Sequence, residues 1–238
     1  MNNRESERRR FLKTALAGSA AAAVGVPQRA PAQAPVAKPT AAPDAVPPGY
    51  IYLHPEEAAF VEALVDHMVP ADEYSPKGTD LGLNIYIDRT LAGGWGKGDR
   101  MYQQGPWKQG VPSQGYQLPL TPAELYRAGI QATNEHCMQA YGQPFDKVSE
   151  TQREDILQAL SSGKLVFENG PPARTFFGVV YQTVMEGMFA DPIYGGNRGM
   201  AAWKMLGFPG VVANHRQNIV VYKNKRFSGE PTSIADRR

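Results

Sequence analysis

Metal ligation, nucleophilic attack or proton transfer in this 238-residue sequence would fall to four histidines, one cysteine and the carboxylates near them. Their spacing supplies none of the usual arrangements. His54, His67, His136 and His215 stand far apart, and none forms an i, i+4 pair with Glu between, the spacing that puts two imidazoles on one helix face for zinc. Asp66 and His67 share a helical stretch with Glu62, but no second Glu-x-x-His completes a di-iron bundle site, so His67 reads as a core-edge histidine. Gly94-Trp95-Gly96-Lys97-Gly98 lacks the preceding strand and the glycine spacing of a dinucleotide fingerprint. There is no P-loop and no Gly-x-Ser-x-Gly. A single cysteine excludes an all-cysteine cluster and a haem-attachment motif within this chain. Cys137 itself has two readings: a small buried residue on an apolar helix stripe, or a thiol paired with a partner's cysteine in an oxidising compartment.

The residues that do form a motif lie at the N-terminus. Arg8-Arg9-Arg10-Phe11-Leu12-Lys13, followed by an Ala/Gly-rich run to Val26, is the pattern of a twin-arginine export signal, with Arg8, Arg9, Phe11, Leu12 and Lys13 its working residues. Glu7 stands where Ser or Thr commonly precedes the arginine pair. The apolar run from Ala15 to Val26 is 12 residues, against the roughly 20 a membrane span needs. Ala30-Pro31-Ala32 and Ala32-Gln33-Ala34 offer cleavage sites, giving a signal over 1–34 and an expected periplasmic destination. This route carries folded proteins, so such a chain acquires a cofactor or a partner before it leaves.

Cleavage changes the electrostatics. Residues 1–34 hold six of the 25 Lys/Arg and two of the 23 Asp/Glu, leaving 19 basic and 21 acidic side chains, a net charge of −2. That balance gives no overall attraction to nucleic acid or anionic lipid. Seven prolines between Pro27 and Pro48 make 35–49 an extended linker with no core to bury.

Residues 50–238 have the length of one domain, and their pattern predicts a mainly α fold: an irregular helical domain with long aromatic, Gly- and Pro-rich loops and extended terminal segments. Pro55, Glu56 and Glu57 open a helix that buries Phe60, Ala63, Leu64, His67 and Met68 and stops at Pro70. A second is expected from about Asp80 to Leu91. Thr121-Pro122-Ala123-Glu124 is a capping box ahead of Tyr126, Ile130, Thr133, Cys137 and Ala140, closed by Gly142. Ser149 and Gln152 form another ahead of Ile156, Leu157 and Leu160, with Gly163 as the stop. Pro172 opens the most apolar helix, through Phe176, Phe177, Val180, Val184 and Met188.

Two stretches lack periodicity. Gly93 to Leu118 carries Trp95, Tyr102, Trp107 and Tyr116 in a loop too long for an ordinary connection. Trp95, Trp107 and Tyr116 are candidate anchors on a partner, or they fold back over their own helices. After Gly210 the apolar residues Val211, Val212, Ile219, Val220, Val221, Tyr222 and Phe227 alternate irregularly with Lys223, Lys225 and Arg226, which reads as an extended arm.

The densest block runs from Ala190 to Gly210: Asp191-Pro192-Ile193-Tyr194-Gly195-Gly196-Asn197-Arg198-Gly199-Met200, then Trp203-Lys204-Met205-Leu206-Gly207-Phe208-Pro209. It resembles the small-subunit family of gluconate 2-dehydrogenase, subunit 3. The resemblance extends over Leu53 to Pro209, through Asp88-Arg89, Trp95-Gly96, Gln104-Gly105-Pro106-Trp107, Gly115-Tyr116-Gln117-Leu118-Pro119-Leu120 and Leu125-Tyr126-Arg127.

The resemblance implies a chain without catalytic residues or cofactor of its own. Such subunits accompany a large FAD-dependent dehydrogenase subunit, often with an iron–sulfur cluster, that oxidises gluconate, sorbitol, fructose or glucose. Electrons pass on to a multi-haem cytochrome c in the membrane. The small subunit carries the signal read by the twin-arginine translocase. On that footing Asp191, Tyr194, Asn197, Arg198, Trp203 and Phe208 join the aromatic loop as candidate partner contacts. Equally, Gly195-Gly196 would permit a tight turn and Asn197 would cap the next helix, making the block internal turn chemistry. An independent periplasmic enzyme and a direct electron carrier are the competing functions.

Overall fold

The computed structural model describes residues 49–108, 110–111, 114, 117–212 and 214–236. The signal motif, most of the linker and Tyr116 lie outside the described residues. Among the described residues seven α-helices and three short 3-10 turns account for the regular structure, and no strand occurs.

Helix α1, Pro55–Met68, begins as its sequence dictates. Pro55 occupies the first turn, Glu56 and Glu57 meet the positive end of the helix dipole, and the Glu57 carboxylate accepts from the His54 N–H at 2.9 Å. Helix α2, Leu83–Ala92, starts later than the pattern predicts. Gly82 sits at φ 77°, and a Cβ there would lie 2.4 Å from the Gly195 carbonyl oxygen. Backbone bonds from Leu81 to Lys77 and from Gly82 to Thr79 hold the preceding residues in turns instead.

Helix α3, Pro122–Tyr141, and helix α4, Glu150–Ser162, open on the two expected capping boxes. Each ends at a glycine in the left-handed region, Gly142 and Gly163. Ala140, expected on the buried stripe of α3, is exposed, because the last turn of the helix runs past the core. Helix α5, Ala173–Phe189, has Pro172 as its cap rather than its first residue.

Helix α5 packs against α2, α3 and α4 and forms the centre of the domain. Phe60 of α1 packs on Phe145 with the rings tilted by 32° and 4.4 Å between centroids, and Tyr126 of α3 meets Phe176 of α5 edge to face at 6.1 Å. The Tyr126 hydroxyl, buried with them, finds Thr183 as its partner. These aromatic side chains are essentially inaccessible to water, each contributing about 1.5–3 kcal/mol by burial.

Beyond α5 come 3-10 turns at Pro192–Tyr194 and Arg198–Met200, then α6, Ala201–Leu206, and α7, Arg216–Val221. The expected extended arm is a closed loop. Gly210 and Thr232 form a parallel bridge, with Val211 donating to Thr232 at 2.7 Å and Thr232 to Pro209 at 3.1 Å, which returns the chain to its point of departure.

Candidate partner interface

The chain enters the domain through residues 50–53, and its attachment is unusually complete. Asp88, 1 % exposed in the middle of α2, accepts backbone N–H bonds from Ile51 (2.8 Å), Tyr52 (2.9 Å) and Leu53 (2.9 Å). A buried carboxylate needs such donors, because an unsatisfied one would carry its full desolvation penalty. The Tyr50 hydroxyl bridges Glu62 of α1 and Asn84 of α2. Tyr52 donates to the Ala123 carbonyl at 3.1 Å, and the Arg127 guanidinium lies 4.7 Å over its ring. Burial raises the Tyr52 phenol to about 12 against the opposing pull of Arg127. Arg127 in turn grips the buried Glu57 carboxylate through two bonds, of 2.6 and 3.2 Å. Three helices thus hold the first residues after the linker.

The sequence motifs contain Asp88 and Arg127 without revealing these roles. The only sequence sign of Asp88 is a carboxylate among the apolar residues Ile85, Ile87 and Leu91 of one helix.

The Ala190–Gly210 block divides by residue between its two readings. Asp191 is buried, accepting from the Ile193 N–H (3.0 Å), the Ser233 hydroxyl (2.7 Å) and the Ile234 N–H (2.9 Å). Burial would raise its carboxyl, but these donors outweigh that and hold it below the usual carboxylate range. Asn197, fully buried at φ 46°, donates to the Ala190 carbonyl at 2.9 Å and accepts from the Ala202 N–H in the first turn of α6 at 3.0 Å, although the N-cap position of that helix is Met200. Gly196 passes so close to α5 that a Cβ would lie 2.2 Å from the Gly187 carbonyl oxygen. Trp203 is buried with its indole N–H on the Phe189 carbonyl at 2.8 Å. Asp191, Asn197 and Trp203 are therefore occupied inside the chain and offer a partner little surface.

Tyr194, Arg198 and Phe208 remain exposed. Phe208 meets Trp203 edge to face at 5.3 Å but leaves nearly half its area in solvent; Leu206, two residues before it, and Ile193, next to Tyr194, are exposed as well. The long loop is fastened at its ends, where Gly96 accepts from Ala123 at 3.0 Å and Leu118 and Leu120 pack on Leu125. Between these points Trp95 and Tyr102 are exposed, and Trp107 is half-buried.

Cys137 is completely buried in the core. Burial pushes its thiol up to about 11, so it is neither ionised nor accessible at neutral pH. A disulfide to a partner would require α3 to open, so of the two readings of Cys137 the burial favours the residue on the apolar stripe.

Among the described residues, no three or more His, Cys, Asp or Glu side chains are grouped to hold a metal ion. His67 lies at the core edge, 2.8 Å from Glu154 of α4. The cleft beside α1, about 420 Å³, is lined by Glu62, Asp66, Lys77, Thr79, Asp146 and Lys147. Both of its lysines are paired, Lys77 with Asp66 at 2.8 Å and Lys147 with Asp146 at 2.9 Å, while Glu62 accepts from the Tyr50 hydroxyl. No helix of the described residues is long and apolar enough to cross a membrane.

Several of the domain's buried polar groups are thus committed to its own turns, while Trp95, Tyr102, Tyr194 and Phe208 leave aromatic surface exposed. A family model described as gluconate 2-dehydrogenase subunit 3 matches residues 55–210. The chain belongs to that family. Its description is that of a subunit of a gluconate 2-dehydrogenase-type complex, which implies association with other subunits. No curated protein and no solved structure matches the chain significantly.

Proposed function

We propose that this protein is the non-catalytic small subunit of a periplasmic sugar or sugar-acid dehydrogenase. In this reading it exports and stabilises a large subunit that carries FAD, often with an iron–sulfur cluster, and that hands electrons to a membrane-bound cytochrome c. The observation that carries it is the family match over residues 55–210, a subunit family rather than a free-standing enzyme. Two features support it. The signal motif at Arg8 and Arg9 precedes a domain whose first residues are clasped by Asp88, so the signal is tied to a folded body. Trp95, Tyr194, Arg198 and Phe208 leave aromatic and cationic surface for a second chain. In this reading the large subunit binds before export, and the translocase reads Arg8, Arg9, Phe11, Leu12 and Lys13 on behalf of both.

Affinity capture of the tagged full chain, from cells expressing its neighbouring dehydrogenase genes, tests the assembly. A large subunit should co-purify in fixed stoichiometry with a flavin absorption spectrum, while the chain expressed alone is colourless. A chain that carries flavin or haem by itself, or that oxidises a sugar unaided, would contradict the reading.

A further inference from the structure

The family match ends at residue 210, before helix α7. That helix buries none of its own residues and presents Ile219, Val220 and Val221 at 68, 77 and 58 % exposure. From Pro192 to Gly229 the chain has six Lys/Arg and no Asp or Glu, in a protein whose residues after 34 are slightly acidic as a whole. The cations divide into two groups. Arg226 turns inward onto the Lys204 and Met205 carbonyls at 3.0 and 2.7 Å, and Lys204 pairs with Glu230 at 3.1 Å, so these brace the loop. Arg216 opens α7, and Lys223 and Lys225 follow it in the turn that Lys225 closes on Tyr222 at 2.9 Å. All three are exposed.

The spacing distinguishes between occupants. A helix that fills a groove on a protein carries its anchors at i, i+3, i+4 and i+7, forming a stripe. Ile219, Val220 and Val221 are consecutive, so on a six-residue helix they wrap around the axis and form an apolar tip. A tip suits a fluid apolar medium that imposes no shape, and cations around it suit a surface of phosphates. The root of the loop is fixed by the Gly210–Thr232 bridge and by Asp191 on Ser233 and Ile234, which would hold the tip outward. We propose that the α7 loop docks on an anionic phospholipid bilayer, with Ile219–Val221 at the level of the headgroups and Arg216, Lys223 and Lys225 on the lipid phosphates.

Hydrogen–deuterium exchange of the full chain tests this locally, so that lipid binding by the N-terminal leader is read separately. With vesicles of phosphatidylcholine containing one third phosphatidylglycerol, amides of residues 214–226 should gain protection, and pure phosphatidylcholine should give little. The Arg216→Gln, Lys223→Gln, Lys225→Gln chain should lose on the order of 100-fold in vesicle affinity at this loop, at about fivefold per cation. None of the three is buried, so folding is left intact. Ile219→Asn, Val220→Asn, Val221→Asn should abolish the protection. Absence of protection, equal protection by both vesicles, or retention of it in the asparagine chain would overturn the proposal. So would loss of large-subunit capture in that chain with lipid protection unchanged, which would assign the tip to a protein.

Discussion

The described domain is held where its chain enters and where it returns by the same device used to different degrees. At the incoming end Asp88 takes three backbone N–H groups, and Tyr50, Tyr52 and Leu53 settle against α1, α2 and α3. At the outgoing end Asp191 takes two groups of residues 233–234, the Gly210–Thr232 bridge adds two backbone bonds, and the loop between them leaves α7 exposed. Where a buried carboxylate takes up the backbone donors around it, the segment is scaffold. Where apolar surface is left unspent, it is available to another molecule. The contrast separates residues that hold this fold from residues that face outward, even within a single motif such as Ala190–Gly210.

The largest effect should come from the scaffold side. Asp88→Ala strands three N–H groups in or near the protein interior, at about 1 kcal/mol each or more, so the domain should lose about 3 kcal/mol in urea unfolding. A loss below about 1 kcal/mol would show that water replaces the carboxylate and that the clasp is incidental. On the outward side, Trp95→Ala and Trp107→Ala should barely move the unfolding midpoint and should each weaken association with the large subunit by about 2 kcal/mol. The reverse result, normal association with a lowered midpoint, would place the loop with the scaffold.

Asp191 should give the smallest and most local change. Its native carboxyl is held below the usual carboxylate range, so the stability it contributes is present above the ordinary carboxylate pKa and is lost as pH falls through the lowered native value. Exchange at residues 231–236 should therefore accelerate on acidification, before the helical core opens. Simultaneous opening of both would mean that the outgoing segment is as integral as the incoming one.

Much of the scaffold was legible because helix ends are local chemistry. The Thr121–Glu124 and Ser149–Gln152 boxes and the Gly142 and Gly163 stops need only residues within a turn of one another. The start of α2 was not, since Gly82 is dictated by Gly195, distant in sequence. The same holds for Asp88, whose donors lie about 35 residues earlier. Asn197 was legible as one possible acceptor for the next helix because its donor, Ala202, is near in sequence. Asp191 was not separable from an interface residue, because the Ser233 and Ile234 that bury it return from the far end of the chain. Cys137 could be placed on a stripe but not declared inaccessible until Tyr126, Phe145 and the neighbouring helices were seen to close over the core.

Subcellular fractionation of a strain carrying Arg8→Lys with Arg9→Lys tests the central claim most directly. With one signal serving the complex, flavin-dependent dehydrogenase activity and the large-subunit polypeptide should both disappear from the periplasm and accumulate in the cytoplasm, while the complex still assembles. Periplasmic dehydrogenase activity at the wild-type level in the double variant would contradict export of the partner by this chain.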